Sequence, residues 1–411
     1  MGYSVIDLKK RPFYLKRKAM TKFLRPTLLM LALTSFLLSA CGPEPINQAQ
    51  TQVAEKTITP SSSELTPLSD NSIQINGAGA TFPLPIYTEW TYAYSYVDPT
   101  VAINYQGIGS GGGKKAIIEG TVDFAGSDSL LKAEEYEAGK DLQMYPILAG
   151  AVVIIYNFVP ARDYPADFKV PALVLDRQTL VDIYNGTVNQ WNDPKITALN
   201  PELASYLPDA VITVVYRSDG SGTTELFTRS LASFSPDWTA GGASSVEWPV
   251  AKAGNGVGGD GNLGVVAAVV NTPNSLGYVE LSHALSNSLA YADMINKAGR
   301  QVTANADSLA SAINDFDTAA FNEELTATIV DGDGDGSWPI SGYTYLILHT
   351  NSMTDCAKAQ TLLEYIHWTL TDVSAGKRAA QLGYAVLPDA VRDGVLTKLS
   401  EVTCNGQPVV K

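Results

Sequence analysis

From Ser72 onward, short apolar runs alternate with amphipathic ones. "SIQINGAG" (72–79) reads as a strand ending in glycines, and "PIYTEWTYAYSYV" (85–97) as a helix with an aromatic face. "VAINYQGIG" (101–109) is a strand, "GGKKAIIEG" (112–120) opens a helix, and "VDFAGSD" (122–128) is a strand again. The unbroken run "AGAVVIIYNF" (149–158) predicts a long buried strand. "TLVDIYNG" predicts a helix ending at Gly186, "VITVVYR" a strand, and "TTELFTRSLASF" a helix whose Phe227, Leu231 and Phe234 share one face. "SWPISGYTYLILHT" (337–350) is a further strand. "KAQTLLEYIHWTLTD" (358–372) is an amphipathic helix, and 379–399 a helical stretch broken at Pro388. This alternation predicts an α/β fold with largely parallel sheets. No internal repeat is visible.

The N-terminus has a different pattern. From Met20, Lys22 and Arg25 precede an apolar stretch at 28–38, too short for a comfortable membrane span. Residues 1–40 therefore read as a signal peptide whose true start is Met20. Its end, "LSAC" (38–41), resembles the lipobox of bacterial lipoproteins, which would leave Cys41 as a lipidated N-terminal residue and place the chain at a membrane surface through an acyl (palmitate-type) anchor. A plain signal peptide, or an uncleaved anchor, that happens to contain Cys41 is the other reading. Residues 41–70, rich in Pro, Ser, Thr and Gln, read as a flexible tether. Export implies an oxidising compartment. Of the three cysteines, Cys356 and Cys404 are then expected to pair as a disulfide, the alternative being two separate buried thiols.

Composition narrows the choice of partner. The chain of 411 residues carries a net charge of −14. With a pI near 4.7 it lacks the basic face of a nucleic-acid binder. An anion could bind only at a local site. Three glycine-containing turns follow strands: "NGAGATFP" (76–83), "GIGSGGG" (107–113) and "RSDGSGTT" (217–224). In open α/β sheets the carboxyl ends of strands line the ligand crevice, where helix N-termini offer unpaired N–H groups. The hydroxyls of Thr81, Ser110, Ser221 and Thr223 would add donors, and Arg217 could fork two oxygens of a tetrahedral anion. Each turn alone is also ordinary helix capping, and Arg217 could simply pair with Asp219. Asp128 is the discordant member, because a carboxylate repels an anion. It fits a ligand that carries its own proton, as phosphate does and sulfate does not.

Catalytic patterns fail. "GIGSGGGK" is not a P-loop, since Ile108 and Lys115 stand where Gly and Ser/Thr are needed. Neither Ser110 nor Ser221 lies in G-x-S-x-G. His283, His349 and His367 show no metal-ligand spacing. "DGDGDGSW" (331–338) begins like a calcium loop, but Gly342 stands at the twelfth position, so a solvated acidic loop is favoured over calcium. The tyrosine-rich 87–96 stretch could be a sugar platform, but reads better as a helix packed on a sheet. No catalytic residue, metal or cofactor is expected.

These motifs also carry a resemblance. "INGAGATFPLPIYTEW", "NYQGIGSGGGKKAI", "VDFAGSDSLL", "WNDPKITALNP", "VVYRSDGSGTTELFTRSL", "LGYVE" and "WPISGYTYLIL" occur in the order found in the phosphate-binding proteins of bacterial high-affinity phosphate ABC transporters. The similarity runs from about Ile73 to about Pro388. It implies that Thr81, Phe82, Ser110, Asp128, Arg217, Ser221, Gly222 and Thr223 hold phosphate, with Asp128 accepting the phosphate proton. It implies a two-lobed, type II periplasmic-binding-protein fold, by analogy with 71–150 plus 340–411 in lobe 1 and 151–339 in lobe 2. The implied partners are inorganic phosphate and the permease subunits of an inner-membrane ABC transporter. The protein would be a periplasmic or surface-exposed lipoprotein, a monomer and not an enzyme. A phosphomonoesterase-like enzyme using the same cleft, or a binder of another oxyanion, is the alternative. Two stretches depart from the pattern, 250–264 and 325–337, and neither is expected to touch the ligand set.

Overall fold

The computed structural model describes residues 72–316 and 321–409. The expected signal peptide, Cys41 and the expected 41–70 tether lie outside the described residues. The strands in chain order are β1 (Ile73–Gly79), β2 (Val101–Gly107), β3 (Phe124–Ser127), β4 (Leu142–Asn157), β5 (Val174–Asp176), β6 (Thr213–Arg217) and β7 (Gly256–Gly259). They continue with β8 (Ser275–Glu280), β9 (Asp293–Ile295), β10 (Gln301–Val302), β11 (Ser341–His349), β12 (Ala385–Val386), β13 (Thr403–Cys404) and β14 (Gln407–Pro408).

Strand β4 organises the molecule. Its 16 residues are buried from Leu142 to Ile155, as the apolar run demands. Its first part pairs antiparallel with β11, from His349↔Leu142 to Ser341↔Ala151. Its second part pairs antiparallel with β8, from Val152↔Glu280 to Asn157↔Ser275. One strand therefore belongs to two lobes. The sheet order is β2-β1-β3-β11-β4 on one side and β4-β8-β6-β7 on the other.

Within each lobe the outer strands are parallel: β1 with β2 and β3, and β6 with β7 and β8. The expectation of largely parallel sheets holds for these units only. Where the chain passes between lobes, β11 and β4 run against each other and against β3 and β8, so the sheet is mixed. Crossing strands return along the same line, which alternation of strands and helices cannot reveal.

The crossover is pinned by side chains. Trp338 is fully buried and its indole N–H donates to Val152 O at 2.9 Å, where β4 changes partners. The N–H of Val152 in turn reaches Ile340 O at 2.8 Å. Gly150 and Gly342 face each other across the β4–β11 pair. A Cβ on Gly150 would fall 2.4 Å from the Phe82 ring, and one on Gly342 would fall 2.3 Å from the Leu226 side chain. The crossover is thin because each lobe packs a side chain against it.

Peripheral elements complete the chain. β10, β9 and β5 form a small separate sheet, and β12 adds to β4. The expected break at Pro388 begins earlier. The Val373–Gln381 helix ends before Gly383, which takes φ +87°, and β12 precedes a new helix at Asp389–Ser400. Cys356 and Cys404 form a disulfide that ties the β13–β14 hairpin to the start of the Cys356–Thr371 helix. Among the described residues no helix is long and apolar enough to cross a membrane.

Candidate functional site

In lobe 1 three strand ends converge. β1 leaves through Gly79, which lies so close to β3 that a Cβ would fall 2.1 Å from Gly126 O. Thr81 and Phe82 follow, ahead of the Leu84–Tyr94 helix, where backbone N–H groups have no intrahelical acceptor. β2 leads into the Gly109–Ile118 helix, whose first turn carries the buried Ser110. That helix packs so tightly on β1 that a Cβ at Gly113 would fall 2.5 Å from the Gly79 Cα. β3 ends just before Asp128, which is 3% exposed. Its Oδ1 accepts from Thr344 Oγ1 at 2.7 Å, and its backbone N–H donates to Ser110 Oγ at 3.2 Å.

In lobe 2, β6 delivers Arg217 and the chain turns into the Gly222–Phe234 helix. Ser221 caps that helix by accepting from the Thr224 N–H at 3.1 Å. Arg217 is 4% exposed. Its Nε donates to Asp219 Oδ1 at 2.6 Å and its Nη2 to the other oxygen, a two-point fork. Nη1 lies 3.4 Å from Thr223 Oγ1. Asp219 also accepts from the Gly261 N–H at 3.1 Å. Burial works to raise the Asp219 carboxyl, but the Arg217 guanidinium and the Gly261 N–H outweigh it and hold it below the usual carboxylate range. Asp219 thus fixes the plane of Arg217.

The two lobes touch at this point. The Gly111 N–H donates to Gly220 O at 2.9 Å, and the Gly222 N–H to Ser110 Oγ at 3.1 Å. A Cβ at Gly222 would fall 2.5 Å from the Asp128 Cβ, so only glycine lets the jaws meet. His283 Nε2 bonds Thr81 O at 2.7 Å across the lobes. Burial lowers the His283 pKa to about 4, so the ring is neutral and must carry its hydrogen on Nε2 to donate. Tyr384 OH lies 2.7 Å from Phe82 O and 2.9 Å from Glu280 Oε2. Glu280 Oε1 is buried without a hydrogen-bond partner, and burial raises that carboxyl to about 8.

The chemistry of the cleft follows from these bonds. All eight residues expected to hold an anion, Thr81, Phe82, Ser110, Asp128, Arg217, Ser221, Gly222 and Thr223, come together from four strand–helix junctions, and their side chains are buried. Donors dominate, and Asp128 is the one carboxylate of the set. Burial pushes its pKa up to about 7. Thr344, the Arg217 charge and Ser110 pull it down, and Glu225 pushes it further up. Among the described residues no cluster of His, Cys, Asp or Glu could hold a metal ion. The acidic 331–337 loop is held by protein groups instead. Arg177 pairs with Asp331, and Asp315 accepts from the Gly334 N–H at 2.8 Å and Ser337 Oγ at 2.6 Å.

Comparison with known proteins agrees with this architecture. The PBP superfamily domain matches residues 50–373. The phosphate-binding protein PstS of Xylella fastidiosa (strain Temecula1) is 37% identical over 367 residues, which is 88% of this chain and 93% of that protein. The chain belongs to this family. A second PstS, from Pasteurella multocida, is 38% identical and covers 77% of this chain and 87% of its own. Among solved structures, a high-affinity periplasmic phosphate-binding protein bound with phosphate (PfluDING) superposes with a TM-score of 0.63 at 22% identity, covering 79% of this chain and 93% of that one. A human phosphate-binding apolipoprotein gives 0.62 at 23% identity, covering 82% and 100%. These likenesses carry the two-lobed type II fold.

Within this family fold, one expectation needs correction. The 250–264 stretch was expected to stay clear of the ligand set. Instead Asn262, fully buried, donates from its backbone N–H and its side chain to Thr81 Oγ1, at 3.2 and 2.9 Å, and from its side chain to Thr223 Oγ1 at 3.2 Å. The glycine-rich spacing hid a fourth glycine turn and a fifth strand–turn–helix junction, β7 into the Gly261–Asn271 helix. An Asn just after a strand-ending Gly-Gly-Asp-Gly was the available signal.

Proposed function

We propose that the protein captures inorganic phosphate between its lobes and hands it to the permease of an ABC transporter. The observation that carries this reading is a closed, buried cage of donors with a single carboxylate acceptor, Asp128. The phosphate dianion presents one P–OH and three bare oxygens. The P–OH suits Asp128, and the bare oxygens suit Arg217, the hydroxyls of Ser110, Ser221, Thr81 and Thr223, and the N–H of Phe82. Sulfate has no hydrogen to offer, and facing Asp128 it would leave two acceptors in contact, a mismatch that costs several kcal/mol (~3 or more) in a buried site. The family's PstS members bear the same assignment in their names.

The reading extends to export as a lipid-anchored monomer. The lipobox-like "LSAC" supports Cys41 as the acylated residue, and the Cys356–Cys404 disulfide fits an oxidising compartment. Binding and release require no chemical step, so we read the protein as a carrier and not an enzyme. Calorimetry on the purified protein tests this directly. Tight phosphate binding, weak sulfate binding and no turnover of a phosphomonoester are expected. Equal affinity for sulfate would remove the role given to Asp128.

A further inference from the structure

Asn262 forms a bridge whose consequence lies in the direction of two hydrogens. A hydroxyl oxygen has one hydrogen to give and two lone pairs to accept with. Thr81 Oγ1 accepts from the Asn262 N–H and from Asn262 Nδ2. Thr223 Oγ1 accepts from Asn262 Nδ2 and lies 3.4 Å from Arg217 Nη1. Both oxygens are therefore saturated as acceptors. Neither hydroxyl donates to a protein acceptor among the described residues. The orientation of the Asn262 amide is fixed as well, because its Oδ1 accepts from the Glu280 N–H at 3.0 Å, which leaves the NH2 facing the two threonines.

We propose that Asn262 is a positioning residue that turns the Thr81 and Thr223 hydroxyl hydrogens into the cleft, so that both can only donate to the bound anion. This rests on the phosphate reading of the same cleft. It also sharpens it. A protonated phosphate oxygen placed beside Thr81 or Thr223 would meet a donor and not an acceptor. The ligand proton is thereby excluded from that side and directed to Asp128. Without the Asn262 side chain each oxygen keeps one protein donor, the 262 backbone N–H for Thr81 and Arg217 Nη1 for Thr223, but regains a lone pair with which to accept, and the cage loses its bias. Asn262 reaches Thr81 in lobe 1 from lobe 2, so the bias is set only where the lobes meet.

The test is a coupling measurement. Phosphate affinity is compared by calorimetry for the wild type, Asn262→Ala, Thr81→Val/Thr223→Val, and the triple variant. Asn262→Ala is expected to weaken binding roughly tenfold to a hundredfold, the range for losing aligned hydrogen bonds to a charged group. In the Thr81→Val/Thr223→Val background the same change should cost less than about twofold, since no hydroxyl remains to be aligned. Asn262→Ser, which keeps a small polar residue at the start of the helix, is measured in the same two backgrounds should the alanine variant fail to fold. An equal loss in both backgrounds would make Asn262 a structural residue and overturn the proposal, as would unchanged affinity in the single variant. Absence of phosphate binding by the wild type would instead sink the functional reading together with this one.

Discussion

In the proposed phosphate cage, Arg217 and Asp128 divide the work. Arg217 is held at two points along one edge by Asp219, so its remaining N–H groups point in one fixed direction. Arg217→Ala removes the fork and leaves Asp219 half-buried without its cation. Calorimetry should show a loss of about 2–5 kcal/mol in phosphate binding, and wild-type affinity would reduce Arg217 to a structural role. Arg217→Lys should recover only part of it, because an ammonium cannot match both Asp219 oxygens at once. Asp128 gives a prediction of the opposite sign for a competing anion. With its pKa at about 7, the carboxyl gains a proton as pH falls through neutrality. A protonated Asp128 becomes a donor, which suits sulfate. Sulfate affinity should therefore rise from pH 8 to pH 6 and the preference for phosphate narrow. Asp128→Asn should abolish that pH dependence, and a preference that stays constant with pH would count against the assigned role.

At the scale of elements, the strand–helix junctions show what a sequence reveals. Three of the four glycine turns that build the cleft stood out, because Thr, Ser and Arg after an apolar run have no reason to be there in a simple loop. The fourth was hidden, since β7 is a strand of only four residues with three glycines and has no apolar run to mark it. Pairing across the crossover was also illegible. The run around Val152 announces burial but not that its two halves belong to different lobes. The glycines of the crossover make a prediction of their own. Gly150→Ala would drive a methyl group into the Phe82 ring, 2.4 Å from the new Cβ. Overpacking of this kind costs about 1–3 kcal/mol. Because Phe82 belongs to the proposed cage, the variant should lose phosphate affinity as well as thermal stability. A normal affinity would show that Phe82 moves aside without cost.

For the molecule as a whole, buried titrating groups make unliganded stability depend on pH. Asp128 and Glu280 have pKa values raised by burial to about 7 and about 8, so the folded chain holds protons that the unfolded chain releases near pH 4. Their effect is to lower stability as pH rises through that window. His283, lowered to about 4 by burial, works the other way up to its unfolded value near 6.5 and then stops. The net decline should therefore be steepest between about pH 6.5 and 7, and continue more gently to about 8 through Glu280 alone. Thermal melts of the phosphate-free protein across this range should show it. Glu280→Gln should flatten the upper half, and an unchanged slope in that variant would mean that Glu280 does not titrate there. The disulfide acts at the same scale. It closes a loop across a sequence separation of 48 residues, and its loss in Cys356→Ser should cost about 2–5 kcal/mol. Phosphate affinity should not change, since among the described residues no side-chain hydrogen bond joins either cysteine to a cleft residue. A fall in affinity would show that the C-terminal tail is coupled to the cleft.

The facing pair Gly150 and Gly342 bears on how any mutational survey of this protein should be interpreted. Neither glycine has a side chain to offer a ligand, yet one admits Phe82 and the other Leu226, which lies on the helix that Ser221 caps. A growth screen for phosphate uptake would score both positions as intolerant, indistinguishable from Arg217 or Asp128. Ranked by phenotype alone, the crossover would be mistaken for a second binding site. Only a paired readout of abundance and affinity would separate residues that hold the anion from those that make room for the residues that do.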